Sequence, residues 1–294
     1  MIRFLNKNVF SWLLFLLLFS SACFGLDVDP GRFELTLEAG TKKDVAVSLF
    51  NRCDEIMVIT AQAGQYRFLL SENSSPPAGK TPSECLNSCE KWISFELDNF
   101  ILNPGEKRDF KFTITTPAGA QGEYAACLLL DQAGAVDVNK NDNMESENDA
   151  IDVNLELVYR RAIPVYIFIK DTVEINAEIT GISIKNMLTK EIIEDNFTAN
   201  RIKFEVTLKN TGTKHIRSKG NIVILDNDGN LIESVPTGKT LPVFPGFSET
   251  IPVFWEPPLK ENTYTAVITI DLGDDKILQG EKHFSINKEG FLIK

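Results

Sequence analysis

From Phe33 onward the chain is written in short runs that alternate apolar and polar residues. Phe33-Glu-Leu-Thr-Leu37 alternates, Gly40 interrupts, and Val45-Ala-Val-Ser-Leu49 resumes the pattern. A period of two puts every second side chain on one face, so each run predicts a strand with one buried and one wet side. Residues 56–60, residues 92–97, the series Phe110, Phe112, Ile114, and residues 124–130 continue in the same manner. Residues 71–88 break the pattern with serine, proline and glycine. Residues 131–152 are acidic and nearly free of large apolar side chains, a composition that predicts a long hairpin loop. Residues 153–169 then read as the last strand of the first half, with Pro164 marking an edge or a crossing.

The second half repeats the style. Ile202, Phe204, Val206 and Leu208 face one way before Asn210-Thr-Gly212 ends the run, and Asp226-Asn-Asp-Gly229 predicts a tight hairpin because Asx-Gly supplies positive φ. Ile251, Val253 and Trp255 alternate, as do Ala266, Ile268 and Ile270. One unit is written twice. Phe100-Ile-Leu-Asn-Pro-Gly105 followed by an alternating run, Pro117 and Tyr124 is echoed by Leu241-Pro-Val-Phe-Pro-Gly246, an alternating run, Pro257 and Tyr264. A Pro-Gly turn feeding a strand, with a tyrosine opening the next, suits the second sheet of an immunoglobulin-like sandwich. No long helical period occurs, so the expected fold is all-β: two tandem immunoglobulin-like sandwiches, residues 26–170 and 171–294, after a cleaved signal peptide over residues 1–25.

That leader carries only Arg3 and Lys7, an apolar core over residues 9–19, and small residues at Ser20, Ser21 and Ala22. The core falls short of the roughly 20 residues a membrane span needs. Cleavage after Gly25 is the first expectation; the alternative is a lipidated Cys23. Either way the chain is expected to be periplasmic or secreted, with no transmembrane helix after processing. Losing Arg3 and Lys7 moves the formal charge from −11 to −13. An acidic balance of that size argues against nucleic acid as a partner.

Cys53, Cys85, Cys89 and Cys127 remain after processing, all in the first half. An even number in an exported chain makes them disulfide candidates, with three connectivities open. A metal site is not expected, because the first half has no histidine and the Cys85-x3-Cys89 pair belongs to a chain expected in an oxidising compartment. His215 and His283 read as surface imidazoles beside strands. No nucleophile, metalloprotease or phosphate-loop motif is present. An enzyme is therefore not expected, nor a cofactor.

The turn glycine Gly40, the strand ending Leu49-Phe-Asn51, the Leu102-Asn-Pro-Gly105 turn and Gly122-Glu-Tyr124 fall in an order that resembles the N-terminal domain of PapD-like periplasmic pilus-assembly chaperones. That resemblance implies β-strand addition: the last strand of the first domain lends its edge to a subunit's incomplete sheet, and two basic residues hold the subunit's C-terminal carboxylate. Carried onto this chain, Arg161 falls near the family's last-strand lysine, with Arg160 beside it. Leu35 stands where the first-strand arginine is expected, and Arg32 is the nearest substitute. The layout is also similar to the paired Ig-like domains of WxL-interacting surface proteins, through Val165-Tyr-Ile-Phe-Ile169, Lys209-Asn-Thr-Gly212 and the second Pro-Gly turn.

The function expected is thus protein binding outside the cytoplasm, chaperone-like in the assembly of pilus or surface subunits. The expected contacts are Val153, Leu155 and Leu157 on the strand edge, with Arg160, Arg161 and Arg32 as charge anchors. The alternative is a structural or adhesive module of the cell envelope that binds glycan, peptidoglycan or surface protein.

Overall fold

The computed structural model describes residues 25–66, 74–79, 86–134, 158–187, 201–238, 242–257 and 261–293. The first half holds β1 (Leu26–Asp29), β2 (Phe33–Leu37), β3 (Lys42–Asn51), β4 (Met57–Gln65), β5 (Ser74–Ser75), β6 (Ile93–Phe95), β7 (Asn99–Leu102), β8 (Lys107–Thr115), β9 (Glu123–Gly134) and β10 (Val158–Ile169). The second holds β11 (Ala177–Asn186), β12 (Ile202–Asn210), β13 (Lys219–Asp226), β14 (Leu231–Pro236), β15 (Ser248–Trp255), β16 (Asn262–Gly273), β17 (Lys276–Ile286) and β18 (Leu292–Ile293). A single 3-10 turn, Glu90–Trp92, is the only helical piece among the described residues. The fold is all-β and sandwich-like, as the alternating pattern predicts.

Four sheets result, ordered β1-β3-β8-β6, β2-β10-β9-β4-β7, β11-β12-β15-β5 and β14-β13-β16-β17-β18. The chain changes sheet early. β1 pairs antiparallel with β3, and after Pro30 and Gly31 β2 runs parallel to β10, with Phe33 opposite Val165. β5 also crosses over: it leaves the first half to pair with β15 in the second, Ser75 facing Ser248. The expected loop over residues 131–152 begins later than the composition implied, because Asp131 to Gly134 extend β9 and face β4 and β10.

Inside the first sandwich Val47, Leu49, Ile59, Ile114, Leu128, Leu130, Val165 and Ile167 are buried together. Their neighbours on the opposite face of β9 and β10, Ala125, Cys127, Leu129, Tyr166 and Phe168, are buried as well, in one cluster with Phe244, Phe247, Ile216 and the core of the second half. The two central strands are therefore covered on both faces, which explains why residues 125–130 and 163–169 are nearly continuous apolar runs. A carboxylate is enclosed at this junction. Glu123 Oε1 lies 2.5 Å from His215 Nδ1, the His215 backbone N–H donates to Oε2, and the two side chains are only 4% and 3% exposed. The His215 ring packs 4.6 Å from Tyr166. The expectation of a surface imidazole fails for His215, because the second half folds it onto the back of β9; His283 is exposed beside Glu281.

The repeated Pro-Gly turns have a common support. Asn51 ends β3 fully buried; its amide nitrogen reaches the carbonyls of Glu55 at 2.8 Å and of Leu102 and Asn103 at 3.1 Å, and its side-chain oxygen accepts the Cys53 N–H. Asn210 ends β12 in the same state, reaching the carbonyls of Lys214 at 2.9 Å and Val243 at 2.7 Å and accepting the Gly212 N–H. Each asparagine carbonyl takes the N–H of the turn glycine, Gly105 or Gly246, whose φ of 70° or 81° an L side chain rarely adopts. Each amide thus ties the end of one strand to the turn that starts another. Replacing Asn51 or Asn210 by alanine leaves several buried carbonyls short of a donor and is expected to cost about 2–3 kcal/mol. Urea unfolding of each variant checks this; a loss no larger than that of an exposed asparagine such as Asn99 contradicts it.

Candidate partner-binding edge

β10 is paired along its full length on one side and only partly on the other. β9 faces it from Val158 to Phe168, whereas β2 joins at Val165. Proline settles which backbone groups face outward. Pro164 has no N–H to give β9, so its pairing with Cys127 is a non-hydrogen-bonded one. Residues an even number away share its orientation. The N–H and C=O groups of Val158, Arg160 and Ala162 therefore point away from β9, toward the side where no described strand lies.

Several other sheet margins are better protected, although β17 is open from Lys276 to Phe284 among the described residues, since β18 joins it only at Ser285 and Ile286. β1, β2, β5, β6, β7 and β18 are short, β14 ends on Pro236, and β11 carries a bulge between Ile179 and Gly181. Short, bulged or proline-bearing margins are the usual defence against unwanted pairing. From Val158 to Ile163 the open stretch of β10 carries neither bulge nor proline. Tyr159 on this stretch has the inward orientation of Ile163 and Val165, yet it is 66% exposed because β2 does not reach it. Sequence reading missed Tyr159; its signal was an aromatic residue at a core-parity position immediately before the predicted arginine pair.

The charged residues divide into two groups. Arg160 makes a two-pronged contact with Asp131 directly across the ladder, Nε to Oδ1 at 2.6 Å and Nη2 to Oδ2 at 2.7 Å. These bonds hold the Asp131 carboxyl below and the Arg160 guanidinium above their ordinary pKa. Arg161 donates to the Leu26 carbonyl at 3.2 Å, joining β10 to β1. Arg32 has a different setting. It stands just before Phe33, where the open edge ends, and its Nε lies 3.0 Å from Glu34 Oε1. Arg217 of the second half approaches the same oxygen at 3.2 Å and stacks over Tyr166, whose hydroxyl donates to Tyr66 at 2.8 Å. Two guanidiniums thus share one carboxylate at the mouth of the junction. Val153, Leu155 and Leu157 lie outside the described residues.

The cysteines are correspondingly uneven. Cys53 is disulfide-bonded, with its partner outside the described residues, while Cys89 and Cys127 carry free, buried thiols. The expectation that all four remaining cysteines pair among themselves does not hold for Cys89 and Cys127: one faces the interior of the first sandwich and the other the junction, on opposite sides of the sheet. Cys85 lies outside the described residues. No group of three or more metal-ligating side chains occurs among the described residues.

No protein-family profile matches the chain, and no curated protein matches it. Among solved structures it is similar to the YadV chaperone, 10% identical with a TM-score of 0.41 over 88% of this chain and 99% of that one. It is likewise similar to the Escherichia coli chaperone DraB, 10% identical with a TM-score of 0.40 over 88% of this chain and 98% of that one. A third is the Salmonella enterica SafA pilin in complex with the SafB chaperone, 13% identical with a TM-score of 0.34 over 90% of this chain and 97% of that one.

Burial pushes the Cys127 thiol up to about 11 and raises that of Cys89 further, so neither is a thiolate at neutral pH. Thiol titration of the folded protein is expected to register neither cysteine, and both are expected to react once denaturant is added. Rapid labelling of Cys89 or Cys127 in the native state contradicts this burial.

Proposed function

We propose that this chain is a non-catalytic, chaperone-like protein of the extracytoplasmic space that lends the open edge of β10 to the incomplete sheet of an exported subunit. One observation carries the reading: the edge of β10 from Val158 to Pro164 has no described neighbour on the side away from β9, because β2 starts too late to cover it. The leader pattern supports export. No helix among the described residues is long and apolar enough to cross a membrane.

Within this reading a partner strand parallel to β10 ends, at its C-terminus, beside Arg32. The carboxylate it presents there meets the Arg32 and Arg217 pair, which together hold one more positive charge than Glu34 cancels. Arg160 and Arg161 take a supporting role, because Asp131 and the Leu26 carbonyl engage them. Tyr159 packs against an inward-facing side chain of the partner. Backbone pairing then supplies affinity, and the alternate side chains supply selectivity.

The test is capture of exported subunits by the processed protein from a native envelope extract, followed by binding measurements on the purified pair. Substituting both Arg32→Ala and Arg217→Ala is expected to weaken binding at least about tenfold with the fold unchanged, and Tyr159→Asp to weaken it comparably. Equal binding by these variants, or retention on insoluble cell wall with no subunit bound, overturns the proposal.

A further inference from the structure

Cys53 is disulfide-bonded, whereas Cys89 and Cys127 are free thiols. With five cysteines in the chain, the partner is Cys23 or Cys85. Both lie outside the described residues, but each is joined by one or two peptide links to residues that are described. A bridge needs Cα atoms within about 7 Å, so reach decides between them.

Cys85 directly precedes Leu86. Leu86 packs against the cluster that holds the core of the second half; the Asn87 carbonyl accepts the Ala125 N–H at 2.9 Å, and the Asn87 amide donates to the Glu123 carbonyl at 3.2 Å. Leu86 and Asn87 thus mark the junction end of β9. Cys53 belongs to the other end. Its N–H donates to Asn51, whose amide donates to the Leu102 carbonyl; Leu102 faces Met57, and Met57 faces Gly134, the last residue of β9. Ala125 and Gly134 are roughly 30 Å apart at strand spacing, and the steps between strands run across that rise without shortening it. One peptide link from Leu86 covers about 4 Å. Cys85 falls far short of Cys53.

The N-terminal side has the reach. β1 runs antiparallel to β3 with Leu26 facing Asn51, and the Arg52 N–H donates to the Gly25 carbonyl at 3.3 Å, so the ladder leads past the end of β3 toward Cys53. A Cβ on Gly25 would meet the side chains of Gln132 and Met57, which belong to the Cys53 end of the sandwich. Cys23 is two links from Gly25, within about 7 Å. The leader offers a matching cut: Ser20-Ser21-Ala22 sets small residues at the first and third positions before Cys23. We propose that a signal peptidase removes the leader after Ala22, so that the processed chain begins at Cys23, and that Cys23 is the disulfide partner of Cys53.

The chemistry balances. Water adds across the Ala22–Cys23 amide, and the two thiols then lose two protons and two electrons to an exogenous disulfide of the oxidising compartment by exchange. Cleavage after Gly25 would discard the partner, and a thioether lipid on Cys23 would occupy the sulfur that the bridge uses. The bridge ties the start of β1 to the end of β3, and with it the Leu26 carbonyl that Arg161 of β10 engages. None of this depends on what β10 binds.

Expression of the full chain with its leader in an exporting host, followed by alkylation in denaturant, trypsin and mass spectrometry without reductant, tests the proposal. The expected result is an N-terminus at Cys23, residues 23–32 joined to residues 53–67, and Cys85, Cys89 and Cys127 alkylated. Cys85→Ser is expected to leave the joined peptides intact, and Cys53→Ser to add one alkylated thiol, at Cys23. An N-terminus at any other residue, a diacylglyceryl mass on Cys23, a peptide joining Cys53 to Cys85, or a Cys53 that alkylates without reductant overturns it.

Discussion

The ladder between β9 and β10 is the constraint on which the rest of the molecule depends. It runs from Val158 opposite Ala133 to Phe168 opposite Glu123, and it has different company along its length. Near the junction both faces are packed, one against the interior of the first sandwich and the other against Phe244, Phe247 and the second half. At the distal end neither β2 nor the second half reaches it. Because burial requires satisfied backbone groups and apolar side chains, the junction end became a fixed core. The distal end kept exposed polar partners such as Asp131 and Arg160. The free edge of β10 is a direct result of where that cover stops.

A second economy is the reuse of one corner. Each half places an asparagine at the end of a strand so that its amide bridges to the turn that launches a later one, and each sets a tyrosine against a tryptophan nearby: Tyr124 with Trp92 at 4.1 Å, Tyr264 with Trp255 at 5.4 Å. The turns and tyrosines were legible as a repeat, since Pro-Gly needs a particular backbone and the strands after it alternate. The asparagines were not. Asn51 precedes its turn by far more residues than Asn210 does, because a long irregular excursion including β5 intervenes in the first half, so no fixed spacing advertises the pair.

The same distinction between local and distant information separates the rest of what could be read. Strand identity at Phe33, Val45 and Ile202 follows from a two-residue period, and the Asp226 hairpin from an Asx-Gly turn; both are local signals. Composition alone reads Asp131 as the start of an acidic loop, although it faces Arg160 across the ladder, a pairing fixed only by register. Arg217 escaped notice as a companion of Arg32 because the two lie in different halves and meet only through Glu34. The burial of His215 is illegible for a similar reason: its neighbour Glu123 is distant in sequence, and a lone histidine beside a strand carries no mark of the carboxylate that encloses it.

The early change of sheet at Pro30 has a kinetic corollary. β2, among the first segments of the folded part to be synthesised, has its ladder partner in β10, the final strand of its own sandwich. Pairing at such separation demands closure of a very large loop, which slows folding and lengthens the time a chain spends incomplete. Until Val165 to Ile169 emerge, the segment around Phe33 has nowhere to dock, and β9 lacks its neighbour too. A nascent molecule of this topology therefore cannot close its first sandwich until β10 has been made, however early the rest of that half is available.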